Sequence, residues 1–303
     1  MITDIPATTT GQVNKKLVEL RKTGGAVTLG RVLTLVVCTR DSEYSEDIID
    51  AANEASREHP CRVIVVAWGS RDAEPRLDAQ IRVGGDAGAS EVVVLRLFGE
   101  LADHESSVVV PFLLPDTPVV VWWPETAPEV PAEDPVGKLA IRRITDATDR
   151  ADPAAEIKSR LTSYSSGDSD LAWSRITYWR ALLTSAVDQP PHSPITSAVV
   201  SGLVDEPAVD MIAGWLASRV DVPVTRRVGP LFVEINFADG GALTISRPQT
   251  GTTATLSRTG KPDARVALRR RETSECLAEE LRRLDPDEVY ETALAGLTKV
   301  TYE

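Results

Sequence analysis

Cysteine and histidine are both scarce: the 303-residue chain holds three of each. The cysteines are Cys38, Cys61 and Cys276, and none stands in a CxxC arrangement. Neither a structural zinc site nor a dithiol redox motif is therefore signalled. Cys38 closes one apolar run and Cys61 precedes the next. If the two runs are parallel strands, their thiols lie at opposite sheet edges, beyond bridging distance. His59, His104 and His192 are scattered, and no HExxH, GxSxG, Walker or HxH spacing occurs. A Ser/His/Asp triad stays open, because such sets assemble from distant positions. Asp146, Asp149 and Asp152 fall in one exposed-looking loop without the pattern of metal ligands. No catalytic residue, metal ligand or cofactor site is assigned.

Long apolar runs are also missing, and none approaches the length needed to span a bilayer. The start, MITDIPATTTGQVNKK, lacks a basic segment followed by an apolar core, so it does not read as a secretory signal. The expected compartment is the cytoplasm. Positive charge is in deficit: 33 Lys and Arg against 45 Asp and Glu give a formal charge of −12. Non-specific nucleic-acid binding needs cationic groups that displace counterions, so it is not expected. Arg269-Arg270-Arg271 and Arg282-Arg283 sit beside acidic residues and read as solvated faces. A protein partner would more naturally present a basic surface. What remains is a soluble globular composition long enough for two domains.

From residue 32 the pattern alternates apolar strands with helical segments. Val32–Cys38 and Val63–Trp68 are near-continuous apolar runs, as expected for strands covered on both faces, and residues 45–58 between them have helical periodicity. This order predicts a mostly parallel sheet with helices on both faces. Residues 77–83 alternate with period two, and the glycines at 84–88 turn the chain back into 91–97, which predicts an antiparallel excursion. That cluster lacks GxGxxG spacing and precedes a strand, so a phosphate cradle is the weaker reading. Pro118–Trp123 is a further strand with Trp122 and Trp123 on opposite faces, one in the core and one free to face a crevice. The proline-dense 124–135 is a loop of restricted shape, 142–146 a last strand, 153–164 a helix, and 164–169 a flexible lead.

The chain is organised around DLAWSRITYWRALLTSAVD, residues 170–188. It reads as one helix, capped by Ser169 or Asp170 and ended by Gln189-Pro190-Pro191. On the helical wheel Ile176, Trp179 and Leu183 share the apolar face and form its structural core. Arg180 falls within that arc, so its guanidinium must reach solvent, pair with a carboxylate or lie over a ring. Tyr178 projects away from the arc and Arg175 lies at its edge. With Trp123, these two are the candidate partner contacts, since Trp, Tyr and Arg dominate interface hot spots. The competing reading is a domain brace whose aromatics are all core.

Beyond residue 194 the chain restarts as a strand, a helix from 207 to 220, a strand, and four short alternating runs. These predict an antiparallel meander within an α+β part, closed by helices at 273–284 and 286–297. Asp285 is the expected cap of the last helix, with Pro286 at its first position. The expected division is a 1–165 N-terminal α/β domain, a 166–194 central helix and Pro-rich junction, and a 195–303 C-terminal α+β domain.

Four stretches carry a resemblance: DLAWSRITYWRALLTSAVDQPP, PFLLPDTPVVVWWP, KLAIRRITDATD and RPQTGTTATLSR. Together with the NKKLVELR start and the ECLAEELRRLDPDEVY end, the chain resembles the glucose-6-phosphate dehydrogenase assembly protein family OpcA, in its actinobacterial, mycobacterial-like branch. The resemblance implies a non-catalytic assembly or activation factor, with the dehydrogenase as partner and the oxidative pentose phosphate pathway as setting. It supplies no catalytic residues. In some branches cysteines are associated with redox control, for which the three here have no paired spacing. The alternative from another class is a sugar-phosphate-binding enzyme or sensor, lactonase-like, since β-α units often hold phosphates.

Overall fold

The computed structural model describes residues 1–23, 32–42, 45–83, 91–148, 152–190 and 192–303, with backbone alone at 22 and 23. The glycines at 24 and 25, the 84–88 turn, Asp149 and Pro191 lie outside them. The chain forms two compact units. Unit 1 comprises Met1–Asp146, Ser165–Ser169 and Thr273–Pro286; unit 2 comprises Ala147–Tyr164, Asp170–Glu272 and Asp287–Glu303.

In unit 1 the strands are β1 (Ile2–Ile5), β2 (Leu33–Arg40), β3 (Cys61–Trp68), β4 (Arg76–Arg82), β5 (Glu91–Phe98), β6 (Val119–Trp123), β7 (Arg142–Thr145) and β8 (Asp168–Asp170). They form one sheet in the order β1-β4-β5-β3-β2-β6-β7-β8. The pairs β5/β3, β3/β2, β2/β6 and β6/β7 are parallel, whereas β4 runs antiparallel to both β5 and β1. The antiparallel excursion is therefore present as the alternation predicts. Side chains of β2, β3 and β6 are buried on both faces, which is why their sequences read as continuous apolar runs. Val13, Leu17 and Leu20 of α1 (Thr10–Thr23) pack on one face of the sheet, and α2 (Ser45–Glu58) packs against β2 and β3. The short α3 (Glu105–Val109) joins the α1 side through Val108 and Val109.

In unit 2, α4 (Pro153–Ser163) is followed by α5 (Leu171–Arg175), α6 (Thr177–Val187) and α7 (Pro207–Arg219). The sheet is β14-β13-β12-β11-β9-β10-β15, built from β9 (Ile195–Gly202), β10 (Val224–Val228), β11 (Phe232–Phe237), β12 (Ala242–Ser246), β13 (Thr253–Arg258), β14 (Ala264–Ala267) and β15 (Val300–Tyr302). From β9 through β14 each neighbour is antiparallel, while β10 is parallel to both β9 and β15. This is the expected meander with a parallel edge added. The helix α8 (Thr273–Arg282) belongs to unit 1 and packs on α2, and α9 (Glu288–Gly296) belongs to unit 2 and packs on α7. A Cβ at Gly214 of α7 would sit 2.4 Å from the Ala293 carbonyl oxygen, so only glycine allows this approach.

Four local readings differ from the structure. The stretch 170–188 is two helices, because Ile176 leaves the helical region at φ −95° and ψ 5°. Its amide there donates to the carbonyls of Trp173 and Ser174, tightening one turn. The start, to which the sequence pattern assigns no element, holds β1, which is too short for its period to register. The 164–169 segment is not a loose lead: Asp168 is buried and accepts from Nε of the buried Arg143. The last helix is capped by Asp287, not Asp285. Its carboxylate accepts from the amides of Val289 at 2.9 Å and Tyr290 at 3.0 Å.

Candidate functional site

Open parallel sheets hold ligands beyond the carboxyl ends of their strands, where the strand order reverses. In unit 1 that point falls between β2 and β6. It is filled by Glu125, whose Oε2 accepts from the Thr39 hydroxyl at 2.7 Å and the Arg40 amide at 3.3 Å. Neither tryptophan of β6 opens on a crevice. Trp122 is 1% exposed, and Trp123, at 3%, sits in a core cluster that Val136, Ala127 and Leu139 join. The segment after the proline-dense loop folds back over the strand end, which the strand pattern alone does not foretell. Trp123 is thus a core residue of unit 1 and presents no surface to a partner.

The other candidates lie in unit 2. Asp170 caps α5, its Oδ1 accepting from the Ala172 amide at 2.8 Å. Trp173, Ile176, Trp179 and Leu183 are buried in the core of the unit. The Arg180 guanidinium resolves its place in the apolar arc by lying over the Trp173 ring, 3.6 Å from its centroid. Trp173 Nε1 donates to Asp287 Oδ2 at 2.9 Å, so one ring ties together α5, α6 and the cap of α9. Tyr178 is exposed, and the Arg271 guanidinium carbon lies 5.1 Å from its ring centroid. Arg271 is held there by donating from Nη1 to the Ser174 carbonyl at 2.7 Å.

Arg175 stands on the rim of a cleft of about 90 Å³. The floor of the cleft is apolar, made by Ile176, Trp179, Val209, Ile212 and Leu231. Its polar rim is Arg175, Arg247, Arg270, Arg271 and Glu206. Glu206 Oε1 accepts from Gln249 Nε2 at 2.9 Å and from Arg270 Nη2. Arg247 is 6% exposed; its Nη1 donates to the Leu268 carbonyl at 3.0 Å, while its Nε has no partner. Burial first, and then the Arg270 charge, push this guanidinium below its ordinary value, against the pull of Glu206. It remains a cation, because arginine does not deprotonate in proteins. The cleft therefore carries concentrated positive charge within an acidic chain.

Sequence reasoning places Arg175 and Tyr178 on this face but misses Arg247, Glu206, Arg270 and Arg271. The Arg269–Arg271 run reads as solvated from its neighbours, yet two of its members line the cleft. Arg247 sits where β12 ends, one residue before Pro248, and nothing local marks it as buried. Of the acidic residues weighed as metal ligands, Asp146 is buried and Asp152 caps α4 by accepting from the Ala155 amide. Among the described residues no group of three His, Cys, Asp or Glu side chains could hold a metal ion. Among them, too, no helix is long and apolar enough to cross a membrane.

Two family descriptions match the chain. Residues 52–162 match the N-terminal domain of a glucose-6-phosphate dehydrogenase subunit, and residues 166–294 match the C-terminal domain of the same. Similar solved structures include a glucose-6-phosphate 1-dehydrogenase from Mycobacterium avium, at 12% identity and a TM-score of 0.44, covering 90% of this chain and 94% of that one. An oxidoreductase from Sinorhizobium meliloti is similar at 10% identity and a TM-score of 0.43, covering 88% and 95%. At these values neither structure bears on what the chain does. No curated protein matches it.

Proposed function

Since the chain belongs to the OpcA family of glucose-6-phosphate dehydrogenase assembly proteins, we propose that it binds that dehydrogenase and promotes its active oligomer, turning over no metabolite itself. The observation that carries this reading is that both matched stretches, residues 52–162 and 166–294, answer to domains of this one family. The place of action is the cytoplasm, in the oxidative pentose phosphate pathway that this enzyme feeds.

The contact surface in this reading includes Tyr178 and Arg175. Tyr178 is 41% exposed and lies outside the buried apolar cluster of unit 2. An exposed aromatic backed by the Arg271 guanidinium is the composition of an interface hot spot. Mixing the purified chain with the dehydrogenase tests the reading. Co-migration and a change in the enzyme's oligomer size support it, and independent migration with unchanged activity counts against it.

A further inference from the structure

The rim of the unit 2 cleft is chemically one-sided. Four arginines and one carboxylate converge on it, and the arginines come from α5, the end of β12 and the segment before α8. A cation as enclosed as Arg247 is costly to bury, and its compensation within the fold is partial: Glu206 acts on it through space, and its guanidinium carbon lies 5.8 Å from the Trp179 ring centroid. Its hydrogen bond to the Leu268 carbonyl uses one Nη, and Nε is left over. Arg270 is held at the opening by Glu206. The first turn of α7, Ala208 and Val209, also lines the cleft and adds the partial positive charge of a helix start. These features belong to an anion site with planar, forked donors on its rim.

Glu206 narrows the ligand further. Its Oε2 is buried with no donor, whereas Oε1 takes both Gln249 and Arg270. An unpaired carboxylate oxygen in a cationic cleft asks for a neutral donor, and a hydroxyl is the donor that accompanies phosphate on a polyol. Size sets how much of the ligand is enclosed. The space of about 90 Å³ is well under the ~300–1,000 Å³ of cofactor and drug pockets, so the cleft takes a phosphate and the adjoining hydroxyl while the rest of the ligand stays in its open mouth.

We propose that this cleft binds a small phosphorylated polyol. The arginines take the phosphate, Glu206 Oε2 accepts a ligand hydroxyl, and Trp179 forms the apolar floor. Arg175 and Arg271 on the rim of the cleft adjoin the exposed Tyr178, and its occupation does not require the dehydrogenase.

Isothermal titration of the full chain alone, at fixed ionic strength, tests this with four probes: glucose 6-phosphate, inorganic phosphate, sulfate and glucose. The expected order is glucose 6-phosphate tightest, inorganic phosphate weaker, and glucose without measurable binding. Arg270→Gln, at an exposed position that leaves the core untouched, should weaken glucose 6-phosphate by about ten-fold or more. Arg247→Met should abolish binding if the variant folds, and Arg270→Gln carries the test if it does not. Glu206→Gln should shrink the preference for the sugar phosphate over inorganic phosphate. Three results each overturn the proposal: no binding of glucose 6-phosphate at millimolar concentration, equal binding of sulfate, phosphate and sugar phosphate, or unchanged affinity in Arg270→Gln.

Discussion

The guanidinium of Arg180 lies 3.6 Å from the centre of the Trp173 ring, across the break that separates α5 from α6. A charged residue in the middle of an apolar helical face is explained by this contact. The cation satisfies itself on an aromatic face and on Thr177, to whose hydroxyl Nη2 donates at 2.8 Å. The same ring donates to Asp287, so the stack also orients the start of α9. Arg180→Met keeps the stem and removes the charge, and it should lower unfolding free energy by about 1 kcal/mol. Chemical denaturation checks it, and a loss above the cost of a core truncation would mean that the charge has another partner.

The central helices also set a buried and an exposed aromatic at adjacent positions. Trp179 is 5% exposed and Tyr178 is 41% exposed. Trp179→Ala should cost about 3–5 kcal/mol of folding stability through lost burial and the cavity it leaves. Tyr178→Ala should leave the thermal midpoint nearly unchanged while weakening dehydrogenase binding by about 1–3 kcal/mol. Arg175→Ala should act as Tyr178→Ala does. Normal dehydrogenase binding by both surface variants would reduce α6 to a brace.

Unit 1 contains a buried ion pair, Arg142 with Glu280, in which Nη2 donates to Oε2 and Nη1 donates to the Asp285 carbonyl at 3.1 Å. Burial raises the Glu280 carboxyl and the Arg142 charge opposes that rise. Removing one partner leaves the other buried and alone, so Glu280→Leu and Arg142→Met should each cost about 3–5 kcal/mol. The double variant should recover most of that loss, because an apolar pair of similar size needs no desolvation. A double-mutant cycle measures the difference, and strictly additive losses would show that the pair does not couple.

The three cysteines are buried and none is in a disulfide. Enclosure, then the charges of Asp134 and Glu105, hold the Cys38 thiol well above its ordinary value. Because the folded form keeps this proton to higher pH than the unfolded form, the group removes stability as pH rises past about 8.5. A thiol reagent at pH 8 should label the native chain far more slowly than the denatured chain, in which all three react. Rapid native labelling of Cys38 would contradict its enclosure and reopen redox control through it.

Much of the fold is legible because burial writes its period into the sequence. The both-sides-buried β2, β3 and β6 appear as unbroken apolar runs, and β11 and β12 of the meander as strict alternation. The antiparallel β4 is visible because one of its faces is polar. Two features leave no such mark. An amphipathic helix shows that it packs but not on what, so nothing local in Thr273–Arg282 says that it returns to unit 1. The burial of Trp123 depends on residues after the proline-dense loop, which a strand-by-strand reading treats as connection. The cleft is the least legible part. Its arginines come from positions 175, 247, 270 and 271, and only the fold brings them to one rim.

Sedimentation velocity on the dehydrogenase, the chain and their mixture tests the central claim most directly, with activity read on the same samples. The expected result is a faster species containing both proteins and a rise in dehydrogenase activity, each diminished by Tyr178→Ala. Two proteins that sediment independently at micromolar concentration, with activity unchanged on mixing, would contradict it.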